Sequence, residues 1–285
     1  MTKMKTSLLL LPVALLISAC QGNKDTAETA FVEDDFLNIP ECVVTTPPDS
    51  LALDPFYKKY VDVNGLPLVS SWRVPDSAFT AAHRTLYAMT SMLPEAVLDS
   101  MVSRGTRIAI MARYEGTTDI PEHHYLVNDT ALNWDLRARG LGGDLELPLT
   151  TCAEENVLAY QIDKYHAEDI LIHEFAHSIH LIGLMLAVPD FDKRLKRCYE
   201  NAKAKGLLAG TYRETDKEEY FAEAVQDWFN VNAEMPHPDG KHNWCNTREE
   251  LLEFDPDLYH LLEAYFPPVS QHISNHPRIN NISRY

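Results

Sequence analysis

The feature that most constrains this chain is the run HEFAH, which places His173 and His177 four residues apart with Glu174 beside the first. On a helix such a pair lies about 40° apart around the axis and roughly 6 Å apart along it, so both imidazoles can bind one zinc ion. Glu174 points to the flank of that helix, which favours the role of general base over that of ligand. The spacing therefore predicts a catalytic zinc site.

The segment around these histidines, residues 169–188, is apolar on nearly all sides, which predicts a buried helix. His180 shares the face of His173 but lies roughly 10 Å further along the axis, too far for one ion to meet all three imidazoles on a straight helix. We therefore expect His180 in the second shell of the metal or lining the cleft.

A catalytic zinc needs a third protein ligand and one open position. Families with the pattern His-Glu-x-x-His-x-x-Gly-x-x-His supply a third histidine nearby, but here the last two positions are His180 and Gly183. The alternative is a glutamate from a later helix. Thr215 and Glu218 form a capping box, which predicts that such a helix begins at Asp216.

Glu219 and Glu223 are four residues apart on this later helix and share one face. One of them can bind the metal while the other accepts a hydrogen bond from a ligand histidine. A solvated acidic face is the alternative interpretation of such a run, but the upstream histidine pair favours the metal role.

Together, HEFAH, Tyr212 and the run EYFAE from Glu219 to Glu223 resemble the catalytic domain of anthrax lethal factor and related bacterial metallopeptidases of the gluzincin type. That family has a tyrosine seven residues before its Glu-Phe-Phe-Ala-Glu segment, and Tyr212 is seven residues before Glu219. Ala176 replaces the family's glycine in the first motif. The resemblance covers about residues 55–268 and implies an α+β, zincin-like domain, rich in helices and with a small N-terminal sheet.

The resemblance also implies roles for single residues. One zinc ion would be bound by His173, His177 and Glu219, with Glu174 as general base, Tyr212 as oxyanion donor and Glu223 in the second shell. The implied activity is hydrolysis of peptide bonds in a peptide or protein substrate by a metal-activated water.

Two other functions remain open at this point. One is a metal-dependent binding lipoprotein without catalysis, which the presence of Glu174 disfavours because a binding protein has no use for a base. The other is a zinc hydrolase that acts on a non-peptide amide or a glycopeptide.

The first 19 residues have the pattern of a lipoprotein signal peptide. Lys3 and Lys5 precede a short apolar run, which is shorter than the roughly 20 residues of a membrane span, and the sequence ISAC ending at Cys20 is typical of a lipobox. We expect acylation of Cys20, a tether over residues 20–50 and a catalytic domain over residues 51–285. This pattern predicts a lipid-anchored protein of the bacterial cell envelope, at the outer membrane, and leaves the membrane face open.

The formal net charge is −17, and it is −19 once Lys3 and Lys5 are removed with the signal peptide. A chain with this much negative charge has no electrostatic basis for binding nucleic acid. The acidic surface can favour basic peptides, but solubility alone explains it as well. The cysteines beyond Cys20 are even in number, so disulfides and buried free thiols are both open: Cys42, Cys152, Cys198 and Cys245.

Further patterns predict the remaining elements. Residues 60–71 are predicted to form a hairpin around Asn64 and Gly65, and residues 106–114 a strand. Helices are predicted at 77–92, 94–103 and 192–206, and after the capping box of Thr247 and Glu250. Residues 116–151 are expected to be irregular and to border the cleft. Three later residues are expected to belong to a loop rather than the cleft: His237, His242 and Trp244.

Overall fold

The computed structural model describes residues 37–165, 167–269 and 273–276. The predicted signal peptide, Cys20 and the first part of the tether lie outside these residues. The described residues form a helix-rich α+β fold with a small sheet in the N-terminal half, which confirms the predicted class.

One mixed sheet contains the five strands of the described residues, which are β1 (Lys59–Val63), β2 (Leu66–Ser70), β3 (Arg107–Met111), β4 (Gly140–Leu141) and β5 (Leu149–Ala153). Their order is β1-β2-β3-β5-β4, with β2, β3 and β5 parallel and the two edge strands antiparallel to their neighbours. The predicted hairpin is confirmed: Asn64 and Gly65 connect β1 to β2 with positive φ angles of 52° and 85°.

The α-helices of the described residues are α1 (Asp76–Thr90), α2 (Glu95–Ser103), α3 (Trp134–Arg137), α4 (Glu154–Val157), α5 (Ile170–Ser178), α6 (Met185–Ala187), α7 (Phe191–Ala204), α8 (Lys217–Trp228), α9 (Arg248–Phe254) and α10 (Pro256–Leu262). The predicted helices correspond to α1, α2, α5, α7, α8 and α9.

Alternate residues of β3 divide between two apolar clusters, because successive side chains of a strand point to opposite faces. Ile108 and Ile110 join the larger cluster with the helices, whereas Ala109 and Met111 join the smaller one.

The helix α5 continues into a π-helical segment, Ile179–Leu184, and then into α6. Gly183 lies in that segment, where an added Cβ would come 2.8 Å from Val97 of α2, so the glycine permits close packing of the two helices. By length and composition, Ile170–Ala187 could also cross a membrane, but 67% of this window is buried inside the fold. That burial is typical of the central helix of a globular domain.

The start of α8 differs by one residue from the prediction. Asp216, rather than Thr215, is the N-cap, and its side chain accepts a hydrogen bond from the backbone N–H of Glu219 at 2.9 Å. Aspartate stabilises a helix N-terminus by the same hydrogen bond as threonine and adds a favourable charge, so it takes the position. This hydrogen bond fixes the backbone of Glu219 in the first turn of α8.

A segment near the C-terminus, residues 273–276, contacts the beginning of α5. Ser274 donates a hydrogen bond to the N-cap carboxylate of Asp169, which in turn accepts one from the backbone N–H of Ile172. His276 Nε2 lies 2.7 Å from the carbonyl oxygen of Asn156 in α4, whose side-chain oxygen accepts a hydrogen bond from the backbone N–H of Ile170. The cap of α5 is thus held in place by residues from the far end of the chain.

Each of the four cysteines in the described residues is a free thiol: Cys42, Cys152, Cys198 and Cys245. The disulfide hypothesis is therefore wrong for this structure, and the alternative of free thiols holds. Cys152 and Cys245 are fully buried in different parts of the fold.

Candidate metal centre

Helices α5 and α8 pack against each other and bring three predicted ligands together. His173 Nε2 lies 3.1 Å from Glu219 Oε2 and 3.3 Å from His177 Nε2, and His177 Nε2 lies 3.5 Å from the same glutamate oxygen. The three atoms form a nearly equilateral triangle. Glu219 is 46 positions from His173 and 42 from His177, yet its carboxylate oxygen and the two imidazole nitrogens face one point.

These distances fit zinc. In a tetrahedral site with metal–ligand bonds of 2.0–2.1 Å, neighbouring ligand atoms are about 3.3–3.4 Å apart. The observed edges of 3.1–3.5 Å bracket that value, and two imidazoles with one carboxylate are a set of donors that zinc accepts. The residues present thus suit a zinc ion with one open position, and the binding of the ion stays a prediction.

Gln226 orients the first ligand. Its side-chain N–H donates to the carbonyl of Asp169 at 3.1 Å, so its amide oxygen faces His173 and accepts a hydrogen bond from Nδ1 at 2.9 Å. This bond keeps a proton on Nδ1 and directs Nε2 towards Glu219 and the ligand site, where a metal ion would replace the Nε2 proton. We expected Glu223 in this position, but its nearest oxygen is 3.7 Å from Nδ1.

We expect Gln226→Leu to weaken zinc affinity by about 10–100-fold, because the tautomer and orientation of His173 are no longer fixed. Glu223→Gln should have the smaller effect, since its contact with the imidazole is longer. Competition with a fluorescent zinc chelator measures both affinities. A larger loss in Glu223→Gln would show that the carboxylate, not the amide, orients this histidine.

Glu174 lies beside the ligands, where two glycines of the sheet edge approach α5 closely. A Cβ at Gly142 would lie 2.7 Å from the Cβ of His177, and one at Gly140 would lie 3.0 Å from the Cγ of Glu174. The backbone of Gly142 also hydrogen-bonds the Glu174 carboxylate. Burial raises the pKa of Glu174 above its ordinary value, although the two histidines oppose the shift. A half-buried carboxylate that accepts protons more readily than usual suits a general base.

Tyr212 begins a short 3-10 turn, Tyr212–Glu214, before α8. Its phenol donates a hydrogen bond to Glu219 Oε1 at 3.1 Å, the oxygen that does not face the histidines. The side chain is 37% exposed, so it can turn to a different acceptor when a substrate enters. Burial and the charge of Glu219 raise the pKa of Tyr212, which keeps the phenol a donor at neutral pH.

If Tyr212 is the oxyanion donor that the family resemblance implies, we expect Tyr212→Phe to lower kcat on the order of 10²-fold and to leave zinc affinity unchanged. Peptide cleavage kinetics and zinc titration on the same sample separate the two effects. Tyr125→Phe is a suitable control, since that tyrosine is 62% exposed and lies outside the cleft. A fall in zinc affinity would instead assign Tyr212 the task of holding Glu219.

The electrostatic balance of the centre favours a cation. Burial acts to lower the pKa of His173, but its bond to Glu219 and the charges of Glu174 and Glu223 raise it to about 10. Burial acts to raise the pKa of Glu219, but hydrogen bonds to His173 and His177 hold it well below its ordinary value. Three carboxylates surround two imidazoles, so a divalent cation would neutralise an excess of negative charge.

These side chains open into a cleft of about 450 Å³. One wall is formed by β4 and the residues around it, from Trp134 to Asp144, which confirms that the 116–151 segment borders the cleft. The expectation that this segment is irregular needs a correction. Its 3-10 turns, α3, β4 and the first residues of β5 were not predicted. In β4, a strand of two residues is too short for a period to show.

His180 does not join the ligands. It lies in the π-helical segment, is fully buried against Phe191 and Phe221, and places its Nε2 3.2 Å from Asp192 Oδ1. The residue of this segment that lines the cleft is Leu181 rather than His180. The expectation that His180 lies beside the ligands or in the cleft wall is therefore corrected: it packs against α7 and α8.

His242 is a residue for which we expected only a loop position. The structure places it in the cleft wall, buried, with Nε2 3.4 Å from Glu168 Oε1. Burial acts to lower the pKa of His242, but its pairing with Glu168 raises it. Ligand-type atoms of Glu168, Glu223 and His242 also lie within 4.8 Å of one another, behind His173. No sequence period connects Glu168 with His242, so only the fold reveals this pair.

No family model and no curated protein sequence matches this chain. Among solved structures, the Pro-Pro endopeptidase PPEP-2 from Paenibacillus alvei is similar, with a TM-score of 0.42 and 21% sequence identity. The alignment covers 67% of this chain and 92% of that one. The likeness is distant, so we assign no family from it, and the resemblance to lethal factor stays a hypothesis.

Proposed function

We propose that this chain is a zinc-dependent endopeptidase with a zincin-like, lethal factor-like catalytic domain. The observation that carries the proposal is the triangle of His173 Nε2, His177 Nε2 and Glu219 Oε2, with edges of 3.1–3.5 Å, inside a cleft that Glu174 and Tyr212 also line. Metal ligands, a base and a hydrogen-bond donor thus share one cleft, which is what hydrolysis of an amide requires.

When bound, zinc supplies a Lewis acid that lowers the pKa of a coordinated water to about 7 and polarises the substrate carbonyl. Glu174 accepts the proton of the attacking water and delivers it to the leaving amine. Tyr212 donates a hydrogen bond to the oxyanion that develops on the carbonyl. Gln226 keeps His173 in the tautomer that faces the ligand site.

The test is a digest of a proteome-derived peptide library with zinc-loaded, chelator-treated and zinc-restored protein. Cleavage is expected in the first and third samples, and Glu219→Ala serves as the metal-deficient control. Protein that holds one equivalent of zinc but cleaves no peptide would contradict the peptidase proposal, in favour of a binding protein or a hydrolase of other amides. Protein that binds no zinc would overturn the metal centre itself.

Attachment to the bacterial envelope through Cys20 belongs to the same proposal. The ISAC run supports acylation of this cysteine, and more than one acyl chain anchors a protein stably. An enzyme anchored in this way at the outer membrane would act on peptides or proteins nearby. Metabolic labelling with a fatty-acid analogue should mark the wild-type protein and not Cys20→Ala; equal labelling would exclude this anchor.

A further inference from the structure

The rim of the cleft carries three cationic side chains, although the chain as a whole is strongly acidic. Arg137 and Lys241 are exposed and line the cleft. Lys164 lies next to Arg137, and its Nζ donates hydrogen bonds to the carbonyls of Leu136 and Arg137 at 2.9 and 3.3 Å. We call Arg137, Lys164 and Lys241 the cationic rim.

The members of the cationic rim are close enough to influence one another. Burial lowers the pKa of Lys164, and neighbouring positive charges, among them Arg137 and Lys241, lower it further. The rim also lies close to the reacting groups. The backbone N–H of Tyr212 donates to the carbonyl of Lys241 at 2.8 Å, and Arg137 precedes Gly140 of the wall strand β4 by three residues.

No described carboxylate lies within ion-pair distance of the cationic rim. Two acidic groups of the cleft wall, Glu168 and Asp144, have hydrogen-bond or ion-pair partners outside the rim. Glu168 pairs with His242, and Asp144 Oδ1 accepts hydrogen bonds from the backbone N–H groups of Glu146 and Leu147, each at 2.8 Å. The rim therefore presents positive charge to an entering molecule, although Lys241 also acts on the Glu168 carboxylate and helps to lower its pKa.

Like charges at one place repel one another unless an anion neutralises them, and a positively charged patch attracts anions. We propose that the cationic rim binds a carboxylate of the substrate, from an Asp or Glu side chain or from the C-terminus of a peptide. This inference rests on the proposed peptidase function and adds a substrate class to it.

The overall charge of −17 would by itself favour basic peptides, whereas the charges of the cationic rim favour acidic ones. Exposed charges further away than about 10 Å are largely screened at moderate ionic strength, so the groups that line the cleft decide which substrates it prefers. Arginine in particular can bind a carboxylate through two parallel N–H donors.

The experiment compares peptide pairs that are cleaved in the library digest and differ only in Glu against Gln, or Asp against Asn, near the cleaved bond. A second set differs only in a free or amidated C-terminus. We expect kcat/KM to be about tenfold higher for the carboxylate member of one set, mainly through KM, and the advantage to shrink at high salt. The set that shows the difference identifies the source of the carboxylate.

Charge variants connect the preference to the rim. Arg137→Gln and Lys241→Gln should each bring the ratio of kcat/KM between the paired peptides towards one. Arg104→Gln removes the same charge at the end of α2, outside the cleft, and should leave the ratio unchanged. Equal kcat/KM within every pair, or a preference for the uncharged members, would overturn the inference while leaving the peptidase function intact.

A binding measurement decides the inference even if no peptide is cleaved. The zinc-loaded Glu174→Gln protein is titrated with two pooled peptide libraries that are identical except that Gln and Asn replace Glu and Asp. Tighter binding of the acidic pool, lost in a variant that also carries Arg137→Gln, supports the rim. Equal binding of both pools, together with equal binding of free and amidated C-termini, contradicts it.

Discussion

Glu174→Gln is expected to lower kcat for peptide cleavage by about 10²–10⁴-fold while zinc stoichiometry stays at one. The amide has nearly the shape of the carboxylate but cannot accept the proton of the attacking water. The ligand atoms belong to His173, His177 and Glu219, so their triangle is unchanged by this substitution. Steady-state kinetics on a fluorogenic peptide and metal analysis of the same sample measure the two quantities.

A matched control for this variant is Glu146→Gln, which makes the same chemical change at an exposed position in the loop between β4 and β5. It should leave kcat within twofold of the wild type. If Glu174→Gln retained full activity with zinc bound, another group would be the base, and the proposed mechanism would be wrong.

Arg213→Ala is expected to lower the free energy of unfolding by about 3–5 kcal/mol. The Arg213 side chain is 1% exposed and holds the Asp227 carboxylate with two hydrogen bonds of 2.6 and 2.9 Å. It also donates to the carbonyl of Cys245 at 2.9 Å and lies 3.9 Å from Glu223. Its removal leaves two buried carboxylates without their cation, and the loss of that pairing has a large cost.

Urea denaturation in the presence of a chelator measures this loss without a contribution from bound zinc. The double variant Arg213→Met with Asp227→Leu should recover at least half of it, because the closer carboxylate is removed together with the guanidinium and only Glu223, 3.9 Å away, loses its cation. Arg104→Ala on the surface should change stability by about 0.5 kcal/mol or less. A loss below about 1 kcal/mol in Arg213→Ala would mean that water reaches Asp227 and replaces the guanidinium.

Spacing alone identified part of the metal centre. The four-residue interval between His173 and His177 fixes their common face, because an α-helix repeats every 3.6 residues. The same period places Glu219, Glu223 and Gln226 on one stripe of α8, at i, i+4 and i+7, so it also could have indicated Gln226. We did not include this residue because a neutral amide in a helix carries no chemical signal of its own.

Other parts of the site depend on tertiary structure. Tyr212 was proposed only through the family resemblance, since a single tyrosine before a helix has no distinctive pattern. The pairing of Glu168 with His242 joins positions 74 residues apart, and the two-residue strand β4 exists only because it pairs with β5. By sequence, Gly140 and Gly142 look like loop glycines. In the structure, their lack of a side chain allows the edge of the sheet to contact α5, the helix that carries both histidines.

The hydrogen bond from Ser274 to Asp169 joins residues 105 positions apart, at the point where the ligand-bearing helix begins. During synthesis, Asp169, His173 and His177 are made well before the serine that completes their anchoring. Contacts between such distant positions form late, since a long loop must close first. The helix that carries both histidines therefore gains its last capping contact only after nearly all of the polypeptide has been made.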